Sequence, residues 1–477
     1  MELRNLSAAF STAMRFAGQS SRRYSLQQTP RAVRGMVDRI GFASRKHQHI
    51  IDKARTAVEA FGFEPIQTPI LEYSSVFERT LGNDSDVVGK ELYKFLDSSE
   101  QWMTMRPEAT ASVARALITN NLDQNLPQKL YYAGPMFRHE RPQKGRLRQF
   151  EQFGVEAVGI GHPAIDVECI QMGWQFLQSL NTRGELRLQL NTLGDSKSRL
   201  EYRTALRDYF GKHRDCLSAD SQRRLDTNPL RIMDSKEKTD IDVSQLAPTY
   251  SDFLSAESRQ HFDFVKRGLE ALDIPFTLNS RLVRGLDYYQ HTVWEVTCSS
   301  DRLGRSQATV LAGGRYDGLT TALGGTRSLP GVGWATGIER LALLLDDSEM
   351  PQQQPPIPVL AIPERSNKLG GGSLHKIRDD VYVYALQVAA QIRKHHSAYV
   401  VHGSGVSSDK PHAQQPLGKQ MASILARKPM PLHMAIVGSA ELESREVIVR
   451  DTGSRKQVAV DFDSIASHAI FCEGTHT

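Results

Sequence analysis

Apolar residues recur at helical spacing in the first part of the chain. One apolar stripe occupies positions i, i+4, i+7, i+8 and i+11, at Ile50, Ala54, Ala57, Val58 and Phe61. This spacing is that of one face of an α-helix, and glycine, here Gly62, often follows a helix end. The pattern therefore predicts a helix that begins near Ser44 and ends before Gly62.

Strand-like and helical patterns then alternate up to residue 159. Extended segments are predicted at 63–72, 101–105, 129–138 and 150–159. The last two of these segments form the strands of one long hairpin. Between the second and third segments a helix runs to Leu117, with Pro107 and Glu108 in its first turn, where a proline fits and an acid complements the helix dipole.

The middle of the chain changes from strands to helices and back. Residues 196–272 are mostly helical in pattern and lie between strand-like segments, which predicts an insertion into a larger unit. Strands are predicted again at 276–283, 291–298, 306–312 and 331–336. A helix follows them at 337–346.

A linker rich in proline and glutamine, Pro-Gln-Gln-Gln-Pro-Pro from residue 351, separates the last part of the chain. Beyond it the pattern reads β-α-β-α-β-β, at 359–362, 381–394, 399–402, 419–426, 434–437 and 446–450. This alternation predicts a separate three-layer α/β domain. Segments 369–380 and 403–416 are predicted to be added loops.

Composition limits the classes of function. Of the 477 residues, 40% are apolar and 24% are charged, which is typical of a globular protein. No apolar run approaches the ~20 residues that span a bilayer, so no membrane partner is expected. The four cysteines stand far apart without CxxC spacing, which disfavours a zinc site and a disulfide framework.

The first 24 residues are rich in arginine, serine and alanine and carry one acid, Glu2. Such an amphipathic, acid-poor start is typical of a mitochondrial transit peptide, with cleavage expected after Tyr24; the alternative is an ordinary terminal tail. Removal of this leader would lower the formal net charge from +5 to +2, because it carries four arginines and one glutamate. Nucleic acid contacts must therefore come from local clusters of charge. A second, cytoplasmic form from a downstream start such as Met36 is also compatible with the sequence.

The hairpin carries the most informative segment. Five cations occupy the eleven positions from Arg138 to Arg148. In the strand that follows, Gln152, Gly154 and Glu156 share one face, while Phe153, Val155 and Ala157 share the other. A carboxylate beside a cationic loop predicts a pocket that holds a phosphate-bearing ligand and a small polar ligand together. The alternative is a solvated basic hairpin tip.

Three arginines stand where one element changes into another: Arg138, Arg284 and Arg340. A guanidinium group grips phosphate oxygens in pairs and stays charged, so these arginines favour a nucleotide site over three separate structural salt bridges. The sequence contains neither a GxxxxGK[ST] loop nor a dinucleotide-binding fingerprint, which disfavours the common nucleotide sites of those types.

Several segments resemble motifs of the histidyl-tRNA synthetases, a family of class II aminoacyl-tRNA synthetases. QTPILE at 67–72, FRHER at 137–141 and GWATGIERL at 333–341 are similar to class II motifs 1, 2 and 3. RGLDYY at 284–289 and AGGRYDGL at 312–319 resemble two signatures that other class II enzymes lack, which disfavours a threonine or proline specificity. The N-terminal RGMVD at 34–38 resembles alphaproteobacterial and mitochondrial members.

The resemblance implies an α+β catalytic domain of class II synthetase type, an antiparallel sheet flanked by helices, in two parts at 34–195 and 276–350. A helical insertion at 196–275 interrupts it. A linker at 351–358 leads to an anticodon-binding α/β domain at 359–477. The resemblance also implies a homodimer that uses ATP, Mg²⁺, histidine and tRNA(His). Its location in the mitochondrial matrix is predicted from the leader alone.

Residue roles follow from the same resemblance. Arg138 and Arg284 would flank the α-phosphate of ATP, Arg340 would hold its tail, and Glu140 would also bind ATP. The histidine site would comprise Glu108, Thr110, Gln152, Glu156, Arg284, Tyr288, Tyr289 and Tyr316. Gln143, Arg146 and Arg148 would face the tRNA acceptor end, and no side chain is assigned to a protein-bound metal.

Imidazole has two ring nitrogens that each need a partner, and unpaired buried groups penalise other substrates. Glu156 would supply an anion there and Tyr289 a neutral donor or acceptor. The alternative function is that of a catalytically inactive relative, either a regulatory subunit or a tRNA-sensing module. Two departures from the family pattern are Ala109, where the family has glycine, and an irregular last domain, which leaves the anticodon contacts unassigned.

Overall fold

A computed structural model describes residues 29–82, 87–233, 235, 237–283, 288–303, 308–351, 354–363, 371–401, 417–427, 429–468 and 471, with backbone alone at 371–378. The predicted leader at 1–24, the Arg284 position and the segment 403–416 lie outside these residues. The chain divides into two compact units, Met1–Met350 and Pro351–Thr477. No helix among the described residues is long and apolar enough to cross a membrane.

The described helices of the first unit are α1 Phe42–Glu59, α2 Ser74–Leu81, α3 Thr110–Thr119, α4 Ala164–Ser179, α5 Ser196–Lys212, α6 Ala219–Thr227, α7 Lys238–Ser244, α8 Ala256–Ala271, α9 Leu319–Ala322 and α10 Ile338–Leu344. Its described strands are β1 Glu64–Pro65, β2 Leu71–Tyr73, β3 Tyr93–Leu96, β4 Trp102–Met105, β5 Gln128–Phe137, β6 Gln149–Val158, β7 Glu185–Thr192, β8 Phe276–Leu278, β9 Gln290–Ser299, β10 Thr309–Arg315 and β11 Gly331–Gly337.

Eight of these strands form one sheet in the order β1-β5-β6-β11-β10-β9-β7-β8. The two outermost pairs, β1 with β5 and β7 with β8, are parallel. All neighbouring strands in the run β5-β6-β11-β10-β9-β7 pair antiparallel. The predicted antiparallel sheet flanked by helices is therefore confirmed. The strand predicted at 276–283 is shorter than expected, because only Phe276–Leu278 pairs with β7, and it does so at the edge of the sheet.

One face of the large sheet is packed by helices. Phe153, Val155 and Ala157 of β6 are fully buried there, in a core shared with residues of α1, α4, α8 and α10. The Trp334 ring stacks between those of Phe153 and Phe176, with centroid distances of 6.1 and 6.2 Å. Burial of each large apolar side chain contributes about 1.5–3 kcal/mol. Since β-strand side chains alternate, Gln152, Gly154 and Glu156 must lie on the opposite face.

A buried ion pair joins this core to the sheet. The Asp166 carboxylate in α4 accepts hydrogen bonds from Arg315 Nη2 at 2.5 Å, His261 Nε2 at 2.7 Å and Thr292 Oγ1 at 2.6 Å. Burial alone would raise the pKa of Asp166, but these hydrogen bonds and the Arg315 charge hold it below its usual value. Removal of one partner from such a pair typically costs about 3–5 kcal/mol.

The start of α3 differs from the prediction. Pro107 and Glu108 were expected in its first turn, but the helix begins at Thr110. The Glu108 carboxylate instead accepts hydrogen bonds from the backbone N–H groups of Thr110, at 2.7 Å, and Ala111, at 2.9 Å. It therefore satisfies two of the donors that a helix start leaves unpaired. Glu108 therefore lies just before the first turn of α3 rather than within it.

The helical insertion packs on a small core that it shares with neighbouring residues such as Leu193, Leu282 and Val293. Tyr202, Leu206 and Phe210 of α5 are buried at i, i+4 and i+8 within it. Asp195 and Ser255 cap α5 and α8 by accepting from the backbone N–H groups of Ser198 and Ser258. These caps fix where the two helices begin.

The second unit contains β12 Ile357–Ile362, α11 Gly371–Ile392, β13 Ala398–Val401, α12 Leu417–Leu425, β14 His433–Gly438, α13 Ser439–Ser444, β15 Glu446–Asp451 and β16 Gln457–Asp461. Its sheet has the order β13-β12-β14-β15-β16, with β12 parallel to β13 and β14. The separate sheet domain is confirmed. The predicted loop at 369–380 is wrong from residue 371 on, where the backbone is helical. Residues 373–380 lack proline and include good helix formers, which extend the helix backwards.

Candidate active site

The face of the large sheet opposite the helical core holds a cavity of about 330 Å³, a size typical of small-ligand sites. It brings together most of the residues predicted from the sequence, which are Glu108, Thr110, Arg138, Glu140, Arg146, Gln152, Glu156, Tyr288, Tyr289, Tyr316 and Arg340. Gln143 and Arg148 are not among its lining residues. Arg284 lies outside the described residues.

The pocket floor depends on glycines in neighbouring strands. Gly333 of β11 is paired with Glu156 of β6, and a Cβ atom at Gly333 would lie 2.1 Å from Glu156 Oε2. A Cβ atom at Gly331 would likewise lie 2.3 Å from the Tyr316 ring. Both contacts are far below van der Waals distance, so only glycine allows these two side chains to lie flat across the sheet.

Glu156 is the hub of the polar contacts. Its side chain is buried, with 1% exposed, and it accepts hydrogen bonds from Thr110 Oγ1 at 2.6 Å, Tyr316 OH at 2.5 Å and Tyr132 OH at 3.4 Å. Burial, together with the charge of Glu108, raises the pKa of Glu156 to about 8 although the three hydroxyls oppose the shift. The anionic form expected of Glu156 in a histidine site stays a prediction. A hydrogen-bond donor or a cation beside the group would favour its charged form.

Glu108 and Gln152 add acceptor groups to the same pocket. Glu108 is also buried, and burial raises its pKa while the backbone N–H groups of Ala111 and Thr110 oppose the rise. The Gln152 amide oxygen is buried and has no hydrogen-bond partner among the described residues. A buried acceptor without a partner is costly, so the pocket suits a ligand that donates hydrogen bonds.

Tyrosine rings enclose this polar end. The Tyr288 ring lies 4.6 Å from that of Tyr289 and 5.7 Å from that of Tyr316, measured between centroids. Burial raises the pKa values of Tyr288 and Tyr316 well above their usual range. These phenols therefore stay neutral at physiological pH and can act as hydrogen-bond donors.

The other end of the pocket is cationic. Arg138 Nε donates to the Pro107 carbonyl at 2.9 Å, and its guanidinium lies 5.3 Å from the Phe150 ring centroid. Arg340 Nη1 donates to the Thr309 carbonyl at 2.6 Å. Burial and the neighbouring Arg146 lower the pKa of Arg340, but a guanidinium remains charged in proteins. Two fixed guanidinium groups facing one cavity suit phosphate oxygens.

The Glu140 carboxylate contacts arginines of the basic loop and so does not form a site open to a cation. Its carboxylate lies 3.0 Å from Arg146 Nε and 3.9 Å from Arg138 Nη1. The sequence reasoning assigned Glu140 to nucleotide binding, and the geometry indicates a more immediate effect, the orientation of two arginines. A ligand phosphate would have to compete with Glu140 for these arginines.

The pocket residues that the sequence reasoning missed include Tyr132, Glu295 and Glu339. Glu295 Oε2 accepts from Thr309 Oγ1 at 2.9 Å, and Glu339 accepts from the Glu151 N–H at 2.9 Å. The available signal for Glu295 was its polar position between Trp294 and Val296 in a predicted strand. No group of three or more metal-binding side chains occurs among the described residues. One carboxylate such as Glu295 is nevertheless compatible with Mg²⁺, which usually binds one or two protein carboxylates together with phosphates.

Comparisons with known proteins agree on one family. The family model described as histidyl-tRNA synthetase matches residues 35–341. A histidine–tRNA ligase of Rhodospirillum rubrum is 45% identical over 428 residues, which cover 90% of this chain and 95% of the relative. One of Gluconobacter oxydans is 42% identical over 433 residues, covering 91% and 96%. The crystal structure of apo S. aureus histidyl-tRNA synthetase matches with a TM-score of 0.70 at 29% identity, covering 92% of this chain and 99% of that one.

The raised pKa of Glu156 predicts a pH-dependent stability. The folded protein holds this proton more tightly than the unfolded chain, since the pKa rises from 4.5 to about 8. The stability that the group contributes is therefore fully present below about pH 4.5 and is lost as the pH rises through about 8. Glu156→Gln should show a flatter dependence of melting temperature on pH across this window.

Melting temperatures measured from about pH 5 to 9 check this expectation. The control is Glu185→Gln, because Glu185 is exposed and its pKa is lowered by Arg187. Its pH dependence above about pH 5 should match that of the parent. Equal slopes for the parent and Glu156→Gln would contradict the assigned protonation.

Proposed function

This chain belongs to the histidyl-tRNA synthetase family, and we propose how its pocket carries out the ATP-dependent ligation of histidine to tRNA. The family assignment makes it an aminoacyl-tRNA ligase of bacterial type. The proposal rests on one observation. The same cavity is lined by buried Glu156 and Glu108 at one end and by Arg138 and Arg340 at the other. One end suits an amino acid that donates hydrogen bonds, and the other suits a polyphosphate.

Histidine binds at the carboxylate end. Its imidazole lies against Glu156, and a ring N–H donates to the carboxylate, which the contact stabilises in its charged form. The tyrosines that enclose this region supply neutral hydroxyls for the second ring nitrogen. Glu108 and Gln152 accept from the α-amino group. Thr110 supports the arrangement, because its hydroxyl is bonded to Glu156 at 2.6 Å.

Activation takes place between the two ends. A carboxylate oxygen of histidine attacks the α-phosphorus of ATP, the bond to the bridging oxygen of the β-phosphate breaks, and pyrophosphate leaves. The attacking group is already ionised, so this step needs no general base. Arg138 on one side, and Arg284 on the other as the family resemblance implies, stabilise the charge on the phosphate. Arg340 holds the outer phosphates.

Mg²⁺ arrives with ATP. Glu295 is the pocket carboxylate that would contact it, and the ion would neutralise charge on the outer phosphates. Transfer follows when a terminal ribose hydroxyl of tRNA attacks the activated carbonyl and AMP leaves. Gln143, Arg146 and Arg148 of the basic loop orient the acceptor end, and the second unit binds the anticodon.

The functional protein is a homodimer. Strands β2, β4 and β3 form a small sheet whose paired residues Leu71, Met105 and Tyr93, and Tyr73, Met103 and Phe95, share one face. On this face Leu71, Tyr73 and Phe95 are 43%, 58% and 43% exposed. Glu72 and Thr104, on the other face, are buried. An apolar sheet face of this kind is rare on a monomer, and a second copy of the chain is its proposed partner, as in the family.

The mature enzyme acts in mitochondria. The support for this location is the arginine-rich, acid-poor leader at 1–24, together with the similarity of 34–38 to alphaproteobacterial and mitochondrial members.

Activation should be specific for histidine and depend on Arg284. The parent protein should catalyse ATP–pyrophosphate exchange with histidine and not with threonine or proline. Arg284→Ala should lower the rate by roughly 100-fold or more, because it removes the charge that the family resemblance assigns to the reacting phosphate. The control is Arg187→Ala, an exposed arginine paired with Glu185, which should exchange normally.

Absence of exchange with histidine from the parent protein would favour the inactive-relative alternative. Normal exchange by a folded Arg284→Ala variant would remove only the role assigned to Arg284.

The dimer should dissociate when charge is placed on the apolar face. Sedimentation velocity of the parent should give about twice the chain mass of 53.4 kDa, and Tyr73→Glu combined with Phe95→Glu should give one chain mass. Leu246→Glu is the control, because Leu246 is 83% exposed in the helical insertion. A parent that sediments as a monomer would contradict the proposal.

The leader should be sufficient for import. A fusion of residues 1–35 to a fluorescent protein should accumulate in mitochondria, while the same fusion with Arg4, Arg15, Arg22 and Arg23 replaced by glutamine should not. A cytosolic signal from the first fusion would refute the assigned location.

A further inference from the structure

We propose that residues 33–39, here called the N-terminal bracket, are positioning residues for the transfer step. They hold the basic loop at 138–148 in place through contacts that lie outside the pocket. This inference rests on the proposed role of that loop at the tRNA acceptor end. No pocket residue belongs to the bracket, so it acts on the site through its contacts with the loop and with Glu339.

The bracket fixes the main chain of Arg148. A tight turn, closed by the Met36 N–H donating to the Val33 carbonyl at 2.9 Å, directs the Gly35 carbonyl towards the loop. That carbonyl accepts from the Arg148 N–H at 2.8 Å, and the Arg148 carbonyl accepts from the Arg138 N–H at 2.9 Å. The N–H group of Arg148 is thus hydrogen-bonded to the bracket, and its carbonyl group is hydrogen-bonded to Arg138, the residue after β5.

The bracket also fits closely against the middle and the C-terminal end of the loop. Gly35 has a positive φ of 84°, and a Cβ atom there would lie 2.9 Å from Arg148 Cγ and 3.0 Å from Pro142 Cγ. Arg148 Nε in turn donates to the Glu140 carbonyl at 3.1 Å. Any side chain at Gly35 must therefore displace the Arg148 stem or Pro142, and with them the direction of the loop.

A second contact anchors the other end of the bracket. Arg39 forms an ion pair with Glu339, which is 8% exposed and also accepts from the Glu151 N–H at 2.9 Å. Arg39 Nη1 lies 3.7 Å from Glu151 Oε2 as well. Because Glu339 precedes Arg340 in the first turn of α10, the bracket is fastened to the same framework that carries the phosphate end of the pocket.

This geometry separates the two reaction steps. The bracket reaches only the main chain of Arg138, through Arg148, whereas the Arg138 guanidinium is held by the Pro107 carbonyl at 2.9 Å, so activation should depend on the bracket much less than transfer does. The acceptor end of tRNA must meet a loop whose base is set by Gly35. It follows that a product translated from Met36 would lack the Gly35 carbonyl and would charge tRNA poorly.

Gly35→Asn tests the proposal, with Gly62→Asn as its matched control. Both glycines have positive φ, 84° and 76°, and asparagine tolerates such backbone better than other side chains. They differ in surroundings, because a Cβ atom at Gly62 would meet nothing within 4 Å. The comparison therefore isolates the contact with the loop from backbone strain.

Transfer from preformed histidyl-adenylate to tRNA, measured in a single turnover, should fall roughly tenfold to hundredfold in Gly35→Asn, since small misplacements of positioning groups have effects of this size. ATP–pyrophosphate exchange should stay within about twofold of the parent, and Gly62→Asn should match the parent in both assays. An unchanged transfer rate, or an equal loss of exchange and transfer, would overturn the proposal.

Hydrogen exchange of the parent protein gives a test that needs neither a variant nor activity. The Arg148 amide should exchange more slowly than the amides at the loop tip, 144–145, because the bracket protects it. Exchange as fast as at the loop tip would overturn the bracket. Failure of the parent to charge tRNA, with Arg148 still protected, would instead refute the proposed function alone.

Discussion

The pocket depends on one steric constraint: functional side chains must lie flat across the strands of a tightly packed sheet. Glu156 can do so because glycine stands opposite it on β11, where a Cβ atom would come within 2.1 Å of its carboxylate. The same constraint applies at Gly331 beneath the Tyr316 ring. A buried carboxylate held in this way faces hydroxyl groups rather than water, and its proton affinity rises as a consequence.

Strand alternation couples this pocket to the stability of the fold. Arg315, the last residue of β10, points into the helical core and pairs with Asp166. The next residue, Tyr316, points into the pocket and donates to Glu156 at 2.5 Å. The Asp317 carboxylate accepts from both Arg315 Nη1 at 3.2 Å and the Gly331 N–H at 3.0 Å. The buried ion pair therefore fixes the backbone on both sides of the tyrosine whose hydroxyl contacts the hub of the pocket.

The sequence predicted those features that depend on local pattern. The bounds of α1, the hairpin of β5 and β6, and the opposite faces of Gln152 and Phe153 all follow from spacing that tertiary contacts reinforce. It did not predict features that arise only when distant segments meet. The protonation of Glu156 depends on burial and on Glu108, 48 positions earlier in the sequence. The contact of Gly35 with Arg148 likewise could not be read from either segment alone.

The most direct measurement of the central claim is a crystal structure of the protein with histidine bound. The account predicts an imidazole nitrogen within about 2.7–3.2 Å of a Glu156 carboxylate oxygen, with the α-amino group beside Glu108 and the carboxylate directed towards Arg138. An imidazole that contacts neither Glu156 nor the tyrosines around it would contradict the account.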